Sequence, residues 1–153
     1  MDRADRRILE LLQQDSSRSI ADLSAQVGMS TSACHRRIKA LEQSGVIAGY
    51  AARLNPHALG YQLQVYVEIT LTGQSEESME RFEQAAAGFD DILDCRLMAG
   101  AADYQLRVAA RDLEHFDVIH RTCLSRLPGV SSMRSSFVIR TTKAWAGYPL
   151  ASR

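Results

Sequence analysis

The sequence predicts an α+β protein in two parts: three short helices over the first fifty residues, then the order β-α-β-β-α-β. Three observations predict it. Apolar residues recur at helical spacing up to about residue 50, and the period changes to two after Asn55-Pro56. A Gly28-Met29-Ser30 turn separates two helical patterns, and the second of these sets its apolar residues against its polar and basic ones. Residues 63–71 alternate strictly, with Leu63, Val65, Val67, Ile69 and Leu71 on one face and Gln64, Tyr66, Glu68 and Thr70 on the other.

The first helix is expected over residues 2–14, where Ala4, Ile8, Leu11 and Leu12 make a stripe able to cover two further helices. Ser19 is placed to cap the second, with Asp22 three residues on as an acidic variant of the capping box. Ile20, Leu23 and Val27 follow at i, i+3 and i+7, and Gly28 suits the left-handed conformation that ends a helix. Ser30 caps the third helix. Its inward stripe is Cys34, Ile38 and Leu41, and Ser32, His35, Arg36 and Lys39 lie on the opposite side. Gly45 ends it, and Val46-Ile47 begins an extended segment. Two helices about a short turn, the second with a free polar and basic face, are the sequence form of a helix-turn-helix whose recognition helix meets double-stranded DNA.

Beyond Asn55-Pro56, the strand at 63–71 is followed by a helix at 76–87 with Met79, Phe82 and Ala86 inward. Strands are expected at 92–98 and 104–109, joined by Ala99-Gly100-Ala101-Ala102-Asp103. A second helix spans 112–126, with Phe116, Ile119, His120, Cys123 and Leu127 on or near one side. Pro128-Gly129 ends it, and a fourth strand runs over 130–142. This order is the ferredoxin-like arrangement, with helices over one sheet face. The other face, including some of Tyr66, Glu68, Arg107, Ser136 and Val138, is an expected dimer surface. The division expected is a helix-turn-helix domain at 1–50, a linker at 51–60 and a ligand-binding and oligomerisation domain at 61–153.

Composition narrows the function classes. The formal charge is zero, which argues against a nonspecific nucleic-acid coat. Residues 1–56 hold eight Lys/Arg against six Asp/Glu, net +2, and the remaining ten against twelve leave net −2, a sign that suits DNA binding by the first part. No apolar run approaches the roughly 18 residues of a membrane span, and the charged N-terminus argues against a signal peptide. Cys34, Cys95 and Cys123 are widely spaced and fall in regular elements, so they are expected to be reduced thiols packed in the core of a cytoplasmic protein. No nucleophile–base pair, phosphate loop or H-E-x-x-H motif is present, and the four histidines are scattered. No catalytic residue, metal ligand or tightly bound cofactor is expected. Cys34, within the third helix, leaves a redox- or metal-responsive DNA-binding regulator as the alternative reading.

Taken in order, these features resemble the Lrp/AsnC family, the feast/famine regulators of bacteria and archaea. The resemblance covers residues 1–148. It rests on Asp5 and Ile8-Leu9 in the opening helix, then Leu23, Val27-Gly28, Ser30, Cys34, Arg37, Leu41-Glu42, Gly45-Val46-Ile47 and Tyr50. Asn55-Pro56 and Leu127-Pro128-Gly129-Val130 continue it. It implies a transcription factor of the cytoplasm and nucleoid that forms dimers, commonly assembled into octamers. It also implies a small effector, usually an amino acid, bound at interfaces between dimers and altering assembly or DNA affinity.

Carried onto this sequence, the resemblance assigns DNA contact to Ser30, Thr31, Ser32, His35, Arg36, Arg37 and Lys39. Arg36 suits a bidentate contact with guanine, while Lys39, Ser30 and Thr31 suit phosphate. Arg37 lies at the edge of the inward stripe, where a backbone contact or an intramolecular ion pair is expected. His35 is read either as a pH-dependent contact or as a plain surface histidine. Effector contact falls to Gly100, Ala101, Ala102, Asp103 and Tyr104, with Ser135 and Ser136 from the last strand. Many relatives carry Gly-Asp-x-Asp-Tyr here; in this chain the first acid is Ala101. Backbone amides are expected to hold a carboxylate and Asp103 an ammonium group, with the two alanines making room for a larger side chain.

Overall fold

The computed structural model describes residues 1–150. They form two compact units, residues 1–53 with 142–150, and residues 54–141, each around its own apolar core.

In the first unit, α1 (Arg3–Gln14), α2 (Ile20–Val27) and α3 (Thr31–Gln43) pack around Ile8, Leu11, Leu23, Cys34, Ile38 and Leu41. Each helix has a side-chain cap. Asp2 and Asp5 form a reciprocal capping box on α1, Ser19 accepts from the Asp22 N–H on α2, and Ser30 accepts from the Ala33 N–H on α3. The Ser19 hydroxyl also donates to the Asp22 carboxylate at 2.6 Å, so the acidic residue closes the box through its partner's side chain. Gly28 takes φ +73°, the left-handed turn that separates α2 from α3. Val46 and Ile47 lie in a bend and not in the extended segment expected there, because Ile47 folds back to donate its N–H to the Leu41 carbonyl.

In the second unit, β1 (Leu63–Leu71), α4 (Glu76–Ala87), β2 (Ile92–Leu97), β3 (Tyr104–Ala110), α5 (Leu113–Thr122) and β4 (Val130–Phe137) follow in order. The antiparallel sheet has the strand order β2-β3-β1-β4. Val65, Val67, Ile69, Leu106 and Val108 form the inner face and pack with Phe82, Ala86, Ile119 and Leu124 from the helical layer. The opposite face carries Tyr66, Glu68 and Arg107 on the two central strands and Ser136 on β4. Among the described residues, no helix is long and apolar enough to cross a membrane.

Three further stretches depart from expectation by more than a residue. The helix expected over 112–126 stops at Thr122 and tightens into a 3-10 turn at Leu124–Arg126. Leu127 precedes Pro128 and is extended, as a pre-proline residue should be, which leaves no room for a further α-turn. The strand expected over 130–142 ends at Phe137, because β1 starts at Leu63 and its last bond to this strand is Val138 N–H to the Gln64 carbonyl. Residues 142–150, expected with the C-terminal domain, lie with the first unit. There the Gln13 side chain accepts from the Tyr148 N–H at 2.6 Å and donates to its carbonyl at 3.1 Å, and Arg53 donates to the Trp145 carbonyl. Residues 151–153 of that expected domain lie outside the described residues.

Candidate functional site

The outward face of α3 is built by what the inward face buries. Cys34 is fully buried, and Ile38 and Leu41 are nearly so, which fixes the rotation of the helix. Thr31, Ser32, His35, Arg36 and Lys39 are then exposed together on the other side. Thirteen residues make a rod of about 20 Å, long enough to lie along a major groove. Ser30 is also exposed, with its hydroxyl already engaged as the helix cap. Lys39 rests on Glu42 at 2.7 Å, and Glu42 in turn accepts from the Tyr50 hydroxyl at 3.0 Å. An exposed pair of this kind is weak and can exchange for a phosphate.

Adjacent arginines part company here. Arg36 faces solvent with the reading row. Arg37, one position on and about 100° around the helix, donates to Asp2 at 2.7 Å and to Asp5 at 2.8 Å. It therefore makes the intramolecular ion pair expected of it, tying α3 to the capping box of α1. The Asp5 backbone N–H, and after it Arg37, holds the Asp2 carboxyl below its ordinary range.

In the second unit, the segment between β2 and β3 overhangs the open sheet face and walls a groove of about 460 Å³. Met98, Ala99, Gly100, Ala101 and Ala102 form the wall. The floor is set by strand register. Glu68 lies between Gln105 on β3 and Arg134 on β4, and Thr70 lies opposite Ser132. Glu68 and Arg134 approach to 3.7 Å.

The expected effector residues divide. Gly100, Ala101 and Ala102 line the groove. Asp103 does not: its carboxylate accepts from the Leu71 N–H at 2.7 Å and from the Gln74 amide at 2.6 Å, so it pins the loop to the end of β1 instead of offering a free charge. Tyr104 lines the groove at its edge, but its side chain is turned into the core and is 1% exposed. The ring packs on Phe82 at 4.5 Å and the hydroxyl donates to Glu83 at 2.7 Å. Burial, and then Glu83, raises the phenol well above its ordinary value. Ser135 is paired with buried Val67 and Ser136 with Tyr66, so period two sends them to opposite faces, and neither lines the groove. Glu68, Thr70, Gln105, Ser132 and Arg134 were not among the expected contacts. Strand alternation marks the faces, but only the pairing register places these three strands side by side at one depth.

The cysteines do not form a site. Cys34 and Cys123 are buried and Cys95 is partly so; burial raises all three thiols, Cys123 to about 11.

A helix-turn-helix with a solvent-facing basic row, in a chain whose second unit is ferredoxin-like with a groove on its open sheet face, defines the class of two-domain DNA-binding regulators. Family models agree over both units: residues 1–48 match a winged helix-turn-helix DNA-binding model, and residues 64–146 match the Lrp/AsnC ligand-binding domain. The chain belongs to the Lrp/AsnC family of transcriptional regulators. It is 39% identical to the leucine-responsive regulatory protein of Escherichia coli over 94% of this chain and 87% of that protein. It is 45% identical to an uncharacterized helix-turn-helix regulator of Sinorhizobium fredii over 78% of this chain and 94% of the relative. Among solved structures, it is similar to a Neisseria meningitidis transcriptional regulator in complex with L-methionine (TM-score 0.93, 30% identity, 98% of this chain and 97% of that one). An AsnC family regulator of Agrobacterium tumefaciens has a TM-score of 0.92 at 34% identity, over 98% and 97% of the two chains. The protein is thus a transcriptional regulator with a DNA-binding domain and a ligand-binding domain, and not an enzyme.

Proposed function

We propose that this protein binds operator DNA sequence-specifically through α3 and that an amino acid or related metabolite, held in the groove beside Gly100–Ala102, modulates its assembly or DNA affinity. The observation that carries the DNA half is the exposed row Ser32, His35, Arg36 and Lys39 behind a fully packed inward stripe. In this reading, Arg36 contacts guanine. Lys39 and the N-terminal turn at Ser30 and Thr31 meet phosphates, and Arg37 holds α3 in place. The protein acts as a homodimer, or as an octamer assembled from four dimers, in the cytoplasm and on the nucleoid. Two copies of α3 meet half-sites about one helical turn, roughly 34 Å, apart or a multiple of it. Residues 51–60 serve as the linker between the reading and effector domains. Amino-acid effectors are supported by the L-methionine complexes of two similar regulators, from N. meningitidis and M. tuberculosis. A redox reading draws no support from Cys34, which is buried and whose thiol is raised by that burial.

Fluorescence anisotropy with a duplex selected from a random-sequence pool tests the DNA half. Arg36→Ala should weaken binding by about 10- to 100-fold, the ~1–3 kcal/mol of one bidentate base contact, with oligomer mass unaltered. Parent-like affinity would remove Arg36 from the reading row.

A further inference from the structure

The groove holds one opposite-charge pair and, among the described residues, no other charged side chain lines it. We propose that Glu68 and Arg134 read the two charged ends of a zwitterionic α-amino acid, Arg134 taking the carboxylate and Glu68 the ammonium group. This rests on the groove being the effector site.

The fold makes little use of the pair. Glu68 and Arg134 are cross-strand partners on the outward face of β1 and β4. At 3.7 Å, with side chains 44% and 81% exposed, they are loosely engaged, and exposed pairs of this kind contribute little to stability. Their charges are therefore available at small cost. An α-amino acid carries its ammonium and carboxylate on one carbon, so two neighbouring protein charges of opposite sign can each make a charge-assisted hydrogen bond to it. Because the pair sums to zero, a simple anion or a simple amine would leave one protein charge unanswered, whereas a zwitterion answers both. The wall adds no competing charge: Ala101 stands where many relatives have an acid, and Asp103 is consumed by Leu71 and Gln74. Thr70, Gln105 and Ser132 supply further hydrogen-bonding groups on the floor. The alanines leave the space beside the wall for the side chain.

Calorimetric titration of the full-length protein with the twenty common L-amino acids, followed by the methyl ester and α-hydroxy acid of the tightest binder, tests the assignment. Both analogues should bind at least tenfold more weakly to the parent. Arg134→Gln should lose at least tenfold toward the amino acid but bind the ester as the parent does, since the ester has no carboxylate to lose. Glu68→Gln should behave likewise toward the hydroxy acid. Variants that bind the amino acid as tightly as the parent would reduce the pair to an ordinary cross-strand contact and leave the effector reading standing. Equal losses toward amino acid and analogues would overturn the assignment of ends. Analogues that bind the parent as tightly as the amino acid would overturn the proposal without any variant. A parent that binds none of the twenty would overturn both readings together.

Discussion

Single side chains in this protein are assigned by what already holds them. Arg36 and Arg37 have the same chemistry and adjacent positions, but Asp2 and Asp5 occupy one and solvent surrounds the other. Asp103 and Glu68 are both carboxylates near the effector loop. Asp103 has its two oxygens filled by Leu71 and Gln74, whereas Glu68 faces the groove. Sequence spacing found Arg37's ion pair because helical phase put it at the edge of the buried stripe. The bonds of Asp103 are not legible in the same way, because nothing local shows which backbone N–H a loop carboxylate will meet thirty residues away. Tyr104 gives a pH prediction at this scale. Its phenol is raised in the folded state, so its contribution is fully present below the ordinary phenol value of 10.0 and is lost as pH rises beyond it. Denaturation of the parent should show stability falling above about pH 10, with a shallower fall in Tyr104→Phe. That variant should itself be about 1 kcal/mol less stable at neutral pH for loss of the bond to Glu83. Equal slopes would remove Tyr104 as the titrating group.

Elements were the most legible scale. The expected spans of β1 and α4 coincide with the observed Leu63–Leu71 and Glu76–Ala87, since strict alternation and a Ser75 cap leave little choice. The misses lie where an element's end is set from outside. β4 stops close to where β1 begins, its last bond there being Val138 N–H to the Gln64 carbonyl, and α5 stops short because Pro128 governs the turn before it. Gly28 illustrates an end set from inside. At φ +73° any Cβ is strained even though nothing lies within 4 Å of one. Gly28→Ala should therefore cost about 1 kcal/mol through the backbone alone, seen as a lower denaturation midpoint. An unchanged midpoint would show that the turn relaxes.

At the scale of the whole molecule, the chain crosses between units twice, and only the first crossing was legible. Asn55-Pro56 announces the departure from the first unit. The return of residues 142–150 depends on contacts between residues 135 positions apart, which no periodicity records. Gly147 allows that return: it has φ +105°, and a Cβ there would meet the Gln13 carboxamide at 2.5 Å. Gly147→Ala should loosen the segment, speeding amide hydrogen exchange at Tyr148; parent-like exchange would show that Gln13 gives way. Function belongs to this scale too, because DNA binding lies in one unit and the groove in the other. Linkage requires that a ligand favouring one functional state alter DNA affinity by the ratio of its affinities for the two states. The most direct measurement is operator affinity, by anisotropy, with and without each of the twenty L-amino acids at saturating concentration. At least one should shift the affinity fivefold or more, within the usual range of coupling, and Arg134→Gln should abolish the shift while retaining operator affinity without ligand. Operator binding indifferent to all twenty would contradict effector control of DNA binding.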